Sequence, residues 1–116
     1  MTFFPKGLNA FNLSEWLSSE SDKPIIIDVR ENIEIKLASF PYPNIHIPLS
    51  MLSIDNVSKI LENYKNKKFV ILCHKGIRSY DFGMWLLENN FVKEVWNLNE
   101  GIDGWSRYID PKIPRY

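Results

Sequence analysis

A single cysteine, Cys73, stands in the 116-residue sequence. No internal disulfide can form, and one cysteine with two histidines cannot build a zinc finger, so neither a metal nor another cofactor is expected. Acidic and basic residues number fourteen each, leaving no formal net charge. Proteins held to nucleic acid by bulk charge carry a basic surface, so nucleic acid is not an expected partner. No stretch approaches the roughly 20 apolar residues that cross a bilayer. The opening MTFFPKGLNAFNL has neither a basic start nor a sustained apolar core, so no secretory signal is read there. The expected setting is the cytoplasm, with a reduced thiol and no membrane contact. Repeats, low-complexity segments and long linkers are also missing. What is present, 45% hydrophobic against 24% charged residues, is the composition of a chain that encloses a core. One domain over residues 1–116 is expected.

The hydrophobic pattern alternates between two kinds of element. Asn12-Leu13-Ser14-Glu15 has the form of a capping box opening a short helix with Trp16 and Leu17. Ile25 to Val29 is a β-branched run suited to a strand buried on both faces. Residues 31–38 have room for one or two helical turns before the Pro41-Tyr42-Pro43-Asn44 cluster, and Ile45-His46-Ile47 is a short strand in which His46 points away from the core. Asp55 is a candidate N-cap for a helix carrying Val57, Ile60, Leu61 and Tyr64 on one face and ending near Asn66. Phe69 to Leu72 is a second buried strand. A helix from about Ser79 to Glu88 stops at Asn89-Asn90, where asparagine tolerates the left-handed conformation. Glu94 to Leu98 is a further strand, followed by a short helix around Trp105. The four tryptophans, Trp16, Trp85, Trp96 and Trp105, read as core and wall residues, and Lys65-Asn66-Lys67-Lys68 as a solvated turn. Strands alternating with helices imply an α/β fold with a central, mostly parallel sheet and helices on both faces.

Ligands of such sheets bind beyond the carboxyl ends of the strands, and Cys73 lies at such an end. The segment Cys73-His74-Lys75-Gly76-Ile77-Arg78-Ser79 places a thiol before a polar loop that leads into a helix. A thiolate is the nucleophilic form, and cations and helix N-termini favour it. If the loop curls over Cys73, its successive N–H groups converge near the sulfur as an anion-binding nest. Gly76 permits backbone conformations closed to other residues. Lys75 adds charge, and Arg78 can present a planar fork to an oxyanion.

This segment resembles the active-site loop of rhodanese-like domains, sulfurtransferases whose cysteine carries a persulfide. Ile26-Ile27-Asp28-Val29-Arg30-Glu31 resembles the family's "DVRE" strand, and Ile45-His46-Ile47-Pro48-Leu49 its "NIPL" strand. Leu98 to Trp105 resembles its closing glycine-and-tryptophan element, with Glu100 interposed and the two glycines separated. Leu37 to Pro43 lacks the Gly and His of the family's "GHIPGA" segment, so the resemblance does not carry over the shape of that wall or a donor preference, while the cysteine loop is intact. The resemblance implies a single rhodanese-like domain and a double displacement. Cys73 would take a sulfane sulfur from a small donor such as thiosulfate or a persulfide, then pass it to cyanide, a thiol or a protein acceptor. His74, Lys75, Gly76, Ile77, Arg78 and Ser79 would bind the substrate, and Asp28 and Arg30 would order the edge of the site. With no second cysteine, the acceptor must come from outside.

Two rival readings share these residues. One is a fold retained as a non-catalytic binding or sulfur-relay module, although such members typically replace the cysteine. The other is a cysteine-dependent phosphatase or arsenate reductase. Those enzymes generally place five residues between cysteine and arginine, whereas four separate Cys73 from Arg78, and no acidic residue of the loop offers itself as a general acid.

Overall fold

The computed structural model describes residues 2–116. Five strands form one sheet: β1 (Lys6–Leu8), β2 (Ile25–Asp28), β3 (Ile45–His46), β4 (Phe69–Leu72) and β5 (Trp96–Leu98). Their order is β1-β5-β4-β2-β3, and every pairing is parallel. The helices are α1 (Ala10–Ser18), α2 (Asn32–Leu37), α3 (Ile54–Glu62), α4 (Ile77–Glu88) and α5 (Gly101–Tyr108), with a 3₁₀ turn at Leu49–Met51. The expected α/β architecture is therefore present, and the sheet is parallel throughout.

Both faces are covered, which explains the uninterrupted apolar runs. On one face Ile26, Val70, Leu72 and Leu98 pack with Leu13 and Leu17 of α1 and with Ile102 and Trp105 of α5. On the other, Ile27, Phe69 and Ile71 pack with Val57 of α3 and with Phe82 and Leu86 of α4. The period-two alternation of strand side chains thus feeds two cores at once. Trp105 is buried and meets Phe40 and Tyr42 edge-on, at ring separations of 4.9 and 5.8 Å. The segment that departs from the family pattern has accordingly become an aromatic wall. Trp16 packs edge-on against Trp96, and Trp85 stacks with Phe82 and Phe91.

Several boundaries differ from the sequence reading. The short edge strand β1 was not expected: Lys6-Gly7-Leu8 carries no strand pattern, and its pairing with β5 supplies the order. Helix α1 begins three residues before Leu13, capped by Asn9, whose side chain accepts from the Asn12 N–H at 2.8 Å. Ser53, not Asp55, caps α3, and Asp55 lies in the first turn, where a carboxylate suits the helix dipole. That helix stops at Glu62 because the chain turns, with Asn66 left-handed at φ 64°. Helix α4 starts at Ile77 rather than Ser79, and β5 is confined to Trp96–Leu98. Asn90 closes α4 in the left-handed region, as its type suggested.

Central β4 ends one residue before Cys73, and its neighbour β2 ends at Asp28, in register with Leu72. The Val29 N–H extends this ladder to the Leu72 carbonyl at 3.0 Å. The DVRE segment and the cysteine loop therefore emerge side by side.

Candidate active site

Cys73 is buried, with 1% of its surface exposed, where β4 gives way to α4. The turn depends on Gly76, which caps α4 at φ 97° and returns the chain over the sulfur. The Gly76 N–H donates to Cys73 Sγ at 3.1 Å, and Ser79 Oγ lies at 3.1 Å on another side. The first turn of α4 carries N–H groups with no partner inside the helix, and their dipole favours negative charge. The buried sulfur thus lies at the start of a twelve-residue helix, the end at which donors converge.

A second helix end holds the loop from behind. At the start of α5 the Ile102 N–H donates to the Cys73 carbonyl at 2.9 Å and the Asp103 N–H to the His74 carbonyl at 3.0 Å. Two free donors of α5 are satisfied by the loop, and the loop carbonyls are drawn away from the cradle. Gly101, at φ 61°, permits this approach.

The loop side chains do not all face the sulfur. Gly76 and Ser79 contact it, whereas Lys75 and Ile77, the latter 74% exposed, lie on the solvent side of the loop. Arg78 takes a partner outside the loop: its fork grips Glu34 of α2 through two bonds of 2.7 and 2.8 Å. The physical reason is geometric match: a guanidinium pairs a carboxylate in two parallel bonds. Tyr116 Oη donates to Glu34 at 3.1 Å and accepts from Arg30 at 3.1 Å. Arg30 is fully buried and forks onto buried Asp28, with its Nη2 at 2.9 Å from Oδ2. Its carbonyl accepts from His46 Nε2 at 2.6 Å, which fixes the His46 tautomer and turns that ring to the β2 end instead of to a ligand. Asp28, Arg30, Tyr116, Glu34 and Arg78 thus form one polar chain from the end of β2 to the cysteine loop.

Arg78, by its hydrogen bonds, holds the Glu34 carboxyl down at about 2 against an ordinary 4.5. A carboxyl depressed in the folded state stabilises above its unfolded value and loses that contribution as pH falls through its folded one. Glu34→Gln should lower the unfolding free energy read from urea denaturation at pH 6 by about 1 kcal/mol, the value for a partly exposed pair. The gap from wild type should close between pH 4.5 and pH 2. A gap independent of pH across that window would show that the charge on Glu34 does not stabilise the fold.

His74 lies under the ring of Tyr116, stacked at 3.9 Å and 10°. The segment after α5 is held in place by Ser106 Oγ donating to the Ile113 carbonyl at 2.6 Å and by Arg115 on Asp103. Sequence reasoning missed Glu34, Asn97 and Tyr116. For Asn97 a signal existed, since a polar residue inside a buried strand must find partners. For Tyr116 there was none.

An all-parallel sheet whose central strand ends in a cysteine under a helix N-terminus defines a cysteine-centred α/β protein. Within that class, the rhodanese-like domain model matches residues 13–108, and the chain belongs to this family. The chain is 33% identical over 102 residues to the adenylyltransferase and sulfurtransferase of Debaryomyces hansenii, covering 85% of this chain and 23% of that protein. The chain thus spans about a quarter of that relative's length. It is 28% identical over 106 residues to a sulfurtransferase of Allochromatium vinosum, covering 91% and 92%. Among solved structures, a rhodanese-related protein from Thermoplasma volcanium superposes with a TM-score of 0.70 at 27% identity, covering 96% and 99%.

Proposed function

We propose that the protein is a sulfurtransferase working through a Cys73 persulfide, with a small sulfane-sulfur donor and an external thiophilic acceptor. The observation that carries this reading is the buried Cys73 Sγ receiving the Gly76 N–H at the start of α4. Family membership and the sulfurtransferase relatives support the reaction class. Residues 1–116 act in this reading as one rhodanese-like domain. A cytoplasmic setting fits a lone free thiol, and among the described residues no helix is long and apolar enough to cross a membrane.

With thiosulfate as donor, Cys73 loses its proton to solvent and attacks the sulfane sulfur. A Sγ–S bond forms, the S–S bond to the sulfonate breaks, and sulfite leaves with the electron pair. In the second half, cyanide or a thiolate attacks the outer sulfur. The Sγ–S bond breaks, its electron pair returns to Cys73, and thiocyanate or an acceptor persulfide departs. Donors from the first turn of α4 face the charge that develops on the outer sulfur and on the leaving sulfite. Lys75, exposed beside the loop, attracts the incoming anion. Arg78, committed to Glu34, holds the loop in shape and gives the cradle less charge than a free guanidinium would.

Intact-protein mass after incubation with thiosulfate tests this directly. The expected result is a gain of one sulfur atom that cyanide or a reductant removes. No adduct from thiosulfate or from a low-molecular-weight persulfide would overturn the reading and leave a binding module of the same fold.

A further inference from the structure

The polar contacts on the far side of Ser79 determine where its one hydroxyl proton goes. Ser79 Oγ lies 2.5 Å from Asn97 Oδ1, and both residues are buried. The Asn97 amide is oriented by its other end: Nδ2 donates to the Gly76 carbonyl at 3.1 Å and to Asn99 Oδ1 at 3.3 Å. The reversed amide would set its oxygen against the Gly76 carbonyl, two acceptors face to face. Asn97 Oδ1 therefore points at Ser79 and can only accept. Ser79 gives its proton to Asn97 and presents a lone pair to Cys73 Sγ, 3.1 Å away.

We infer that Asn97 is a positioning residue that, acting through Ser79, holds Cys73 as the protonated thiol until the hydroxyl turns. A thiol S–H completes the chain Cys73 to Ser79 to Asn97 with every group satisfied. A bare thiolate keeps the Gly76 N–H but meets an oxygen lone pair on its Ser79 side. To stabilise it, Ser79 must rotate its proton onto Sγ, which leaves the buried Asn97 oxygen without a donor. A persulfide places its charge on the outer sulfur, and Ser79 then keeps its bond to Asn97. The relay thus tolerates the thiol and the persulfide and disfavours the reactive species between them. The inference rests on Cys73 being the sulfur-transfer nucleophile, but alkylation reads the cysteine without any sulfur donor, so the two can fail separately.

The test is the rate of Cys73 alkylation by iodoacetamide across pH in wild type, Asn97→Leu and the double variant Asn97→Leu/Ser79→Ala. His74 and Lys75 of the loop, Arg78 paired with Glu34, the Asp28–Arg30 pair with Tyr116, and Asp103 of α5 are common to all three. With its acceptor gone, Ser79 is free to donate to the thiolate. Asn97→Leu should therefore react about three to ten times faster near neutrality, the value of one redirected hydrogen bond. Its rate profile should move to lower pH, and the double variant should lose the gain. A purely structural Asn97, clamping the Gly76 carbonyl, predicts a slower or unchanged Asn97→Leu, and either result overturns the inference, as does a gain that survives in the double variant. Should Asn97→Leu not fold, the ¹³C resonance of the Asn97 side-chain carbonyl in wild type gives a second reading. It should shift over the pH range in which alkylation accelerates and stay still in Cys73→Ser; a carbonyl that does not respond in wild type overturns the proposal.

Discussion

Cys73→Ser is expected to reduce sulfur transfer to the uncatalysed background, a loss on the order of a thousandfold or more for removal of a covalent nucleophile. The reason is specific to the atom. The intermediate requires a sulfur–sulfur bond at Sγ, and a serine oxygen in the same place cannot carry the sulfane sulfur or release it to a thiol. The substitution keeps its surroundings: the Gly76 N–H and Ser79 Oγ, each 3.1 Å from Sγ, are partners a hydroxyl can also use. The fold should remain, with stability changed by no more than about 1–2 kcal/mol. Transfer from thiosulfate to cyanide, together with a circular-dichroism melt, checks both halves. Retention of near wild-type turnover would remove Cys73 from the mechanism, and a collapsed melt would make the activity loss uninformative about chemistry.

The cysteine loop was legible because its logic is local. A strand end, a thiol, a glycine that can go left-handed and a helix start lie within seven residues, and each announces itself by residue type. The buried faces of β2 and β4 were equally plain, since a β-branched run covered on both sides has little else to form. Edge strand β1 was not legible, because three residues of mixed character become a strand only by pairing with β5. The direction of Arg78 was hidden for a related reason. Its partner Glu34 lies 44 residues earlier, and Tyr116, bonded to the same carboxylate, lies 82 residues after Glu34. Spacing within the loop shows that an arginine is present without saying which anion it will face. On the proposed reaction the tie matters chemically, because an arginine paired with a carboxylate fixes loop geometry and would leave the helix N-terminus and backbone as the main hold on a developing anion. Tyr116 also falls outside the matched residues 13–108, so its stack on His74 is a contact that family resemblance does not anticipate.

The second large effect is expected at a residue that never touches the sulfur. Gly101→Ala should destabilise the protein by about 3 kcal/mol or more, combining left-handed strain with a backbone collision. The strain follows from φ 61° in a residue given a side chain. The collision is the larger part: a Cβ there would lie 2.3 Å from the His74 carbonyl oxygen and 2.5 Å from that of Cys73. Neither oxygen can yield alone, because the Cys73 and His74 carbonyls accept the Ile102 and Asp103 N–H groups that begin α5. Relieving the clash means parting α5 from the cysteine loop, which leaves the Cys73 and His74 carbonyls without their α5 donors and frees the loop from the conformation in which Gly76 reaches Sγ. The loop is held from the other side as well, since a Cβ on Gly76 would lie 1.9 Å from the Asn99 carbonyl oxygen. Whatever fraction of Gly101→Ala remains folded should therefore transfer sulfur poorly, with the loss seen in both half-reactions. Urea denaturation with persulfide loading measured by intact mass decides the matter. A variant of wild-type stability that loads normally would show that the grip of α5 on the cysteine loop is dispensable.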